Sequence, residues 1–266
     1  MKSILQITTI LILALGITQC KKNKAAEPEP MPAANPPATA GTLKILFEPM
    51  VGDSNLILGA QTYTNSAGNT YTVTMFKYYI SNVKITKLDN TVWSEPNSYH
   101  LVDHSDDNTT TISINNVPFS NYKAIQFMIG VDSARNVSGA QSGDLDPAKD
   151  MFWSWNTGYI MAKCEGISPQ STATNHKLEF HIGGFSGSNN TLKIAAPSFN
   201  GDTAKVTSVI TPTIHMSANL NEWFSAPTVV DFSILSTVNM PGSSAKAIAD
   251  NYADMFSVEH IHNDPH

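Results

Sequence analysis

The chain is poor in cysteine, has no long hydrophobic run and lacks a basic surface pattern. Only two of its 266 residues are cysteines, Cys20 and Cys164. The apolar run near the start, residues 4–17, is too short to be read as a membrane-spanning helix. The formal net charge is −6 and no basic stripe occurs, so we do not expect nucleic-acid binding.

Motifs of the common hydrolases and nucleotide-binding enzymes are also missing. The sequence contains no G-x-S-x-G, no H-E-x-x-H and no phosphate-binding loop. No nucleophile stands beside an evident base, and no repeat recurs at a fixed period. We therefore predict a protein that is not an enzyme.

Residues 1–19 have the pattern of a secretory signal, with a basic start and an apolar centre, followed directly by Cys20. We predict that Cys20 is lipidated, although Gln19 stands where the lipidation motif usually has a small residue. An ordinary cleaved signal with an incidental cysteine is the alternative. The predicted location is the cell envelope of a Gram-negative bacterium, anchored in the periplasm or at the outer membrane.

Residues 20–40 are rich in proline and alanine and predict an extended tether after the lipidated cysteine.

Residues 41–266 have the length of one domain. Short β-rich segments separated by polar turns predict an all-β fold, either a β-sandwich or a barrel. Of these two we favour an antiparallel β-sandwich with Greek-key-like connections. Near the C-terminus, Leu220–Phe224 predicts one helical turn, and residues 244–256 predict a helix with Ser244 as its N-cap. Cys164, in an apolar strand, is expected to be buried.

A polar loop of about 20 residues, 132–150, precedes two tryptophans, and loops of this length in compact domains are usually functional or disordered. Trp153 and Trp155 are two residues apart, so on a strand they lie on one face. Asp132, Asp144 and Asp146 in the 132–146 segment suit a Ca²⁺ site. Turns and helix caps explain the same aspartates equally well, and both interpretations stay open.

The histidines are the other candidates for chemistry. His181 precedes a Gly-rich segment, and His215 lies near the end of a predicted strand. His260 and His262 form an H-x-H pair, which on an extended segment places both imidazoles on one side. Such a pair suits a metal, but it is also a common adventitious site. Convergence of several neutral imidazoles would favour copper or zinc.

Several motifs together resemble the MbnP-like family of bacterial copper-handling proteins, which are periplasmic or lipid-anchored. The resemblance extends over nearly the whole predicted domain. Its specific part is the M-F-W-S-W-x-x-G-Y block with the H-I-G that follows it. The matching segments are G-V-D at 130–132, L-D-P at 145–147, M-F-W-S-W at 151–155, G-Y at 158–159, H-I-G at 181–183, Y-Y-I-S-N at 78–82, Y-H-L-V at 99–102 and N-Y-A-D-M-F at 251–256.

This resemblance implies a β-sandwich that binds copper. It also implies a partner, a di-haem peroxidase of the MbnH type, which oxidises a tryptophan of the copper protein to kynurenine. On the resemblance, Trp153 or Trp155 is the modified residue and His181 is a metal ligand. The second histidine ligand is not matched by a motif, and His215 and then His262 are the candidates.

Two other functions remain open at this point. Trp153, Trp155 and Tyr159 can form an aromatic platform, as in a surface lipoprotein that binds glycans or proteins. A Ca²⁺-stabilised structural sandwich is the other possibility.

Overall fold

A computed structural model describes residues 39–139, 141–155 and 158–265. The predicted signal at 1–19, Cys20 and nearly all of the tether lie outside the described residues. Within the described residues, no helix is long and apolar enough to cross a membrane.

The described residues are mainly β-structure. The strands are β1 (Ala40–Val51), β2 (Ser54–Asn55), β3 (Thr62–Thr64), β4 (Thr70–Lys87), β5 (Val92–Ser94), β6 (Tyr99–Asp103), β7 (Thr111–Pro118), β8 (Ser120–Ile129), β9 (Phe152–Trp153), β10 (Gly158–Ile167), β11 (Lys177–Gly183), β12 (Lys193–Ala195), β13 (Ala204–Val206), β14 (Thr213–Asn219), β15 (Thr237–Val238) and β16 (Phe256–His262). The α-helices are α1 (Ser133–Asn136) and α2 (Ser243–Tyr252), and short 3-10 helices span Gly143–Leu145, Pro147–Lys149, Thr174–His176, Gly187–Asn189 and Leu220–Phe224.

Two sheets form the sandwich that the alternating segments predict. The small sheet has the order β16-β14-β1-β2, with β7 also paired to β1. The large sheet has the order β12-β8-β4-β10-β11-β15, and five short strands extend it: β3, β5 and β6 on β4, β13 on β8, and β9 on β10. Pairing is antiparallel except between β1 and β14 and between β11 and β15. The all-β fold class is therefore confirmed.

The main core lies between the two sheets. Phe47 on β1 makes edge-to-face contact with Tyr78 on β4, with 5.9 Å between ring centroids, and with Phe256 on β16 at 5.6 Å. Each buried side chain of this size contributes about 1.5–3 kcal/mol relative to exposure. Strand alternation then leaves every second residue of each sheet on an outer face, where candidate sites can form.

A second, smaller apolar cluster lies on the outer face of the large sheet. It contains Tyr79 from β4, Tyr159 and Met161 from β10, and Leu145 from the 132–150 segment. Helix α1 and two 3-10 helices organise that segment over the sheet. The Tyr79 hydroxyl donates to the Asp144 carbonyl at 3.0 Å, and the Tyr159 hydroxyl donates to the Leu145 carbonyl at 2.7 Å.

Several local predictions can be compared with these elements. The one-turn helix at Leu220–Phe224 is confirmed as a 3-10 helix. β4 is one strand that bends at Asn82, which has a φ of 53°. β13 ends at Val206, and β14 begins only after Pro212, which has no N–H for a ladder hydrogen bond.

The C-terminal helix is shorter than predicted. α2 ends at Tyr252, and Gly242, rather than Ser244, is its N-cap, without a side-chain hydrogen bond. Phe256 instead begins β16, where it enters the main core. Cys164 is buried as expected, and burial raises the pKa of its thiol well above the usual range.

Candidate metal centre

Three histidines converge on the outer face of the small sheet. His215 on β14 lies opposite His260 on β16, and His262 lies opposite Thr213 two pairs further on. The His215 and His260 rings are stacked with centroids 4.1 Å apart, and His262 lies 4.7 Å from His215 and 4.6 Å from His260. One ligand nitrogen from each ring lies within 4.8 Å of the other two.

A β-bulge in β16 brings the H-x-H pair to this face. Phe256 and Val258 point into the core, so strict alternation would also send His260 and His262 inward. The register with β14 shifts between His215 and Met216, which leaves Glu259 as an extra residue. Ile261 then faces the core, and both histidines face outward, as bulges near functional sites commonly re-aim side chains.

The cluster is suited to a metal ion. Nitrogen–metal bonds are about 2.0–2.1 Å long, so nitrogens sharing one ion are about 3–4 Å apart. His260 and His262 are exposed, so small side-chain rotations can close the present spacing. In the described part of the chain, no other group of three or more His, Cys, Asp or Glu side chains has a comparable geometry.

A surface groove of about 570 Å³ runs beside the cluster. Its lining includes His260, Glu48, Asp53 and Glu259, so it is polar and acidic. The Glu48 carboxylate, on β1, accepts from His215 Nδ1 at 3.2 Å. Water and ions can therefore reach the cluster from this side.

His181, the ligand implied by the resemblance, lies on the other sheet. It is on the outer face of β11, opposite Lys163 of β10. Its Nε2 donates to Glu165 Oε1 at 2.8 Å, and Lys163 Nζ lies 3.5 Å from the same oxygen. Burial lowers the pKa of His181; the Lys163 ammonium also lowers it, whereas the Glu165 hydrogen bond raises it.

The His181 surroundings do not resemble those of the three-histidine cluster. Lys163 is 2% exposed, and its ammonium also binds the Asp150 carboxylate at 2.5 Å. The Lys163 ammonium thus pairs with the carboxylates of both Asp150 and Glu165, so the acidic groups nearest His181 are engaged in ion pairs. The structure thus brings together His215, His260 and His262, and it leaves His181 apart from them.

Trp153 and His181 lie on the same face of the large sheet. Gly183 is two residues beyond His181 on β11, and the Trp153 indole covers the Gly183 backbone. A Cβ at Gly183 would lie 2.5 Å from Trp153 Cζ3. The glycine of the H-I-G motif therefore provides space for the first tryptophan of the W-S-W motif.

The two tryptophans differ in exposure. Trp153 is 6% exposed, whereas Trp155 is 63% exposed, and their rings are 5.6 Å apart. Trp153 and Tyr159 also line a cavity of about 340 Å³, together with Phe185 and Pro241. A molecule at the surface meets Trp155 directly and Trp153 through this cavity.

The aspartates of the 132–150 segment fix its turns. Asp132 caps α1 by accepting from the Arg135 amide at 3.1 Å and also accepts from the Tyr99 hydroxyl. Asp144 accepts from the Leu101 amide at 3.2 Å. Asp146 caps the next 3-10 helix. Turn and cap formation accounts for these residues, and the structure gives no support for calcium.

His260 belongs to the cluster but is not among the ligand candidates His181, His215 and His262, although it forms one H-x-H motif with His262. The H-x-H spacing was the available signal for His260. The position of His215 beside this pair depends on the β14–β16 register, which follows from pairing between distant segments.

The fold and the cluster define an all-β sandwich with a candidate metal centre on its small sheet. A search of curated proteins finds no match. The family model MbnP matches residues 40–241, and the chain belongs to the MbnP family. The structure of MbnP from Methylosinus trichosporium is similar, with a TM-score of 0.51, 10% sequence identity, and coverage of 78% of this chain and 84% of that chain.

These findings confirm the family resemblance, and the structural similarity independently supports the fold. Family membership implies a copper-related, methanobactin-associated role for the chain.

Proposed function

We propose that the protein is a lipid-anchored copper-binding protein of the cell envelope that stores, transports or senses copper and performs no turnover. The observation that carries this proposal is the convergence of His215, His260 and His262, with ligand nitrogens within 4.8 Å of one another. The three imidazoles are the proposed ligands.

The donor chemistry of the cluster supports copper. Imidazole suits copper and zinc, and among divalent first-row metals Cu²⁺ generally binds a given nitrogen site most tightly. The buried Cys164 thiol lies in the core between the sheets and takes no part in the cluster. The family's copper-related role supports copper rather than zinc as the metal of this proposal.

Copper titration of the purified, unmodified protein tests the ligand set. We expect His215→Ala, His260→Ala and His262→Ala each to weaken copper binding strongly, while His181→Ala leaves it unchanged. Loss of binding in His181→Ala with retention in His215→Ala would overturn the cluster assignment. It would instead favour the His181 ligand role, which remains a prediction from the family resemblance.

Oxidation of Trp153 or Trp155 to kynurenine by an MbnH-type di-haem peroxidase is the second part of the proposal. The exposure of Trp155 and the cavity beside Trp153 support access from the surface. Kynurenine formation replaces one indole carbon with one oxygen, which intact-mass measurement detects and peptide mapping assigns to one residue. The change should occur only with the haem partner co-expressed. An unmodified mass in its active presence would contradict this part.

Anchoring through Cys20 is the third part. The signal-like residues 1–19 and the adjacent Lys21 and Lys22 support it. We expect the wild-type chain to incorporate a labelled fatty acid and to fractionate with membranes, and Cys20→Ala to lose both properties. Retention of the label in Cys20→Ala would contradict lipidation at this residue.

The cavity lined by Trp153 and Tyr159 supports a second candidate function, binding of a sugar or another ligand that stacks on aromatic rings. Trp155 would extend the stacking surface. A glycan array read alongside tryptophan fluorescence tests it, with Trp155→Ala as the variant. A saturable fluorescence change that Trp155→Ala abolishes would support this role, and no binding by the wild type would exclude it for the glycans used.

A further inference from the structure

Glu48 forms a carboxylate–histidine pair with one member of the three-histidine cluster. β1 runs parallel to β14, with Leu46 opposite His215 and Glu48 opposite Ser217. Phe47 points into the core, so Glu48 points to the outer face beside His215. The distance between Glu48 Oε2 and His215 Nδ1 is 3.2 Å.

This contact assigns the two nitrogens of the His215 ring. An ionised carboxylate only accepts hydrogen bonds, so Nδ1 carries the proton and donates it. The neutral ring then has its lone pair on Nε2. A histidine that binds a metal commonly donates its other N–H to a carboxylate, which fixes the tautomer, orients the ring and increases its basicity.

We propose that Glu48 is a positioning residue for the metal centre, which holds His215 with Nε2 free to bind the metal and adds a negative charge that favours Cu²⁺ over Cu⁺. The proposal rests on the metal-binding function proposed above. It assigns unequal roles to the three histidines, because His215 is the one that a carboxylate orients within the described part of the chain.

Glu259 provides a matched control. Both Glu48 and Glu259 line the groove beside His260, so each contributes one negative charge near the centre. The Glu259 carboxylate accepts from the Ser257 hydroxyl at 3.2 Å, whereas the Glu48 carboxylate accepts from a ligand histidine. If the acidic groove acted only by attracting cations, removing either charge would have a similar effect.

The experiment measures Cu²⁺ and Cu⁺ affinities by competition with chelators for the wild type, Glu48→Ala, Glu48→Gln and Glu259→Ala. Loss of such a partner typically weakens metal binding 10–100-fold, and this is the expected effect of Glu48→Ala on Cu²⁺. Glu48→Gln keeps an acceptor for Nδ1–H but loses the charge, so it should recover part of the affinity. Glu259→Ala should stay close to the wild type.

The Cu²⁺/Cu⁺ midpoint potential gives a readout that a purely structural role would not change. We expect both Glu48 variants to bind Cu⁺ with a smaller loss than Cu²⁺. For a one-electron couple, the midpoint potential rises by about 59 mV for each factor of ten by which the loss of Cu²⁺ affinity exceeds the loss of Cu⁺ affinity. The number of coordinating nitrogens seen in the Cu²⁺ electron paramagnetic resonance spectrum should remain the same.

The outcomes separate this proposal from the one on which it rests. If the wild type binds copper through the histidines but Glu48→Ala and Glu259→Ala have equal affinities and potentials, the positioning role is overturned and the function stands. If Glu48→Ala removes a direct metal ligand from the spectrum, positioning is also overturned. If the wild type binds no copper at the cluster, both proposals are overturned.

Discussion

Gly183 of the H-I-G motif contacts Trp153 of the W-S-W motif. Its backbone is not in the left-handed region, so the requirement for glycine comes from the Trp153 ring lying on it. We expect Gly183→Ala to cost about 1–3 kcal/mol in the free energy of unfolding, because the indole and the strand must separate. Urea denaturation of the purified variant measures this loss.

Gly242→Ala is the control for this substitution. Nothing lies within 4 Å of a Cβ at Gly242, and its φ of 167° is extended backbone. We expect a smaller cost here, about 0.5 kcal/mol, because a helix N-cap favours glycine over alanine but the new Cβ displaces no neighbour. Equal stabilities of Gly183→Ala and the wild type would show that Trp153 does not cover Gly183 in solution.

His104 makes stability depend on pH. Its Nε2 is 3.0 Å from the Tyr78 hydroxyl, its ring stacks on Phe76, and its Nδ1 is buried without a partner among the described residues. Burial lowers the pKa of His104 from 6.5 to about 4. Between these values the unfolded chain binds a proton that the folded chain does not, so stability falls as the pH decreases from about 6.5 to about 4.

The size of the His104 effect is bounded by the pKa difference. Each pKa unit corresponds to about 1.4 kcal/mol, so this group accounts for at most about 3 kcal/mol of lost stability at pH 4. Urea denaturation across this pH range measures it, with His104→Gln as the comparison. The variant should lose stability less steeply towards low pH, and an identical slope would contradict the assignment.

At the level of elements, the bulge in β16 determines which side chains form the metal centre. Glu259 is the extra residue, so its deletion leaves Val258 inward, His260 outward, Ile261 inward and His262 outward in a regular strand. We expect a chain lacking Glu259 to remain folded and to retain copper binding. Thermal unfolding and copper titration measure both properties.

Deletion of Ser257 is the matched comparison, because Ser257 is also exposed and lies two residues away. Without a bulge, that deletion turns Val258 outward and Glu259 towards the core. Exposure of valine alone costs about 1.5–3 kcal/mol, and a buried unpaired carboxylate adds to the loss. Equal stability of the two deletion variants would show that Glu259 is not the extra residue.

The same element shows what a single sequence can and cannot predict. Alternation and turn residues predicted most strands and the all-β class, because these patterns are local. They also showed that His260 and His262 share one side. The face to which they point was not predictable. Alternation continued from the inward-facing Phe256 and Val258 would place both histidines in the core, and the bulge that reverses this is defined only by the pairing with β14.

Cross-strand pairs explain why the candidate site was only partly predicted. The partner of His181 is set by the register Lys163–His181, between segments separated by a loop and a 3-10 helix. Sequence motifs identified His181 and the tryptophans but gave no indication of the Lys163 ammonium beside them. His215 was selected by its strand position, and its contact with Glu48 required the parallel pairing of β1 with β14.

For the molecule as a whole, the two candidate sites occupy outer faces of different sheets. His215, His260 and His262 lie on the small sheet. Trp153 lies on the large sheet, Trp155 contacts Trp153 from the turn after β9, and the main core separates the two faces. A packed core transmits strain, but energetic coupling between distant sites without shared partners is usually within about 0.3–0.5 kcal/mol. The sandwich thus allows one face to hold metal while the other meets a protein partner.

This separation predicts that copper affinity is independent of the tryptophan face. We expect Trp155→Phe to leave the copper affinity of the cluster unchanged. The double variant Trp155→Phe/Glu48→Ala should then have the same copper affinity as Glu48→Ala alone, within about twofold. Chelator competition on the four proteins of this cycle measures the coupling. A site shared between imidazole and an oxidised indole would instead make copper binding depend on both faces, and a tenfold departure from additivity would show such sharing. Because the rings of His215, His260 and His262 contact one another and all three lie on the small sheet, we expect the cycle to be additive.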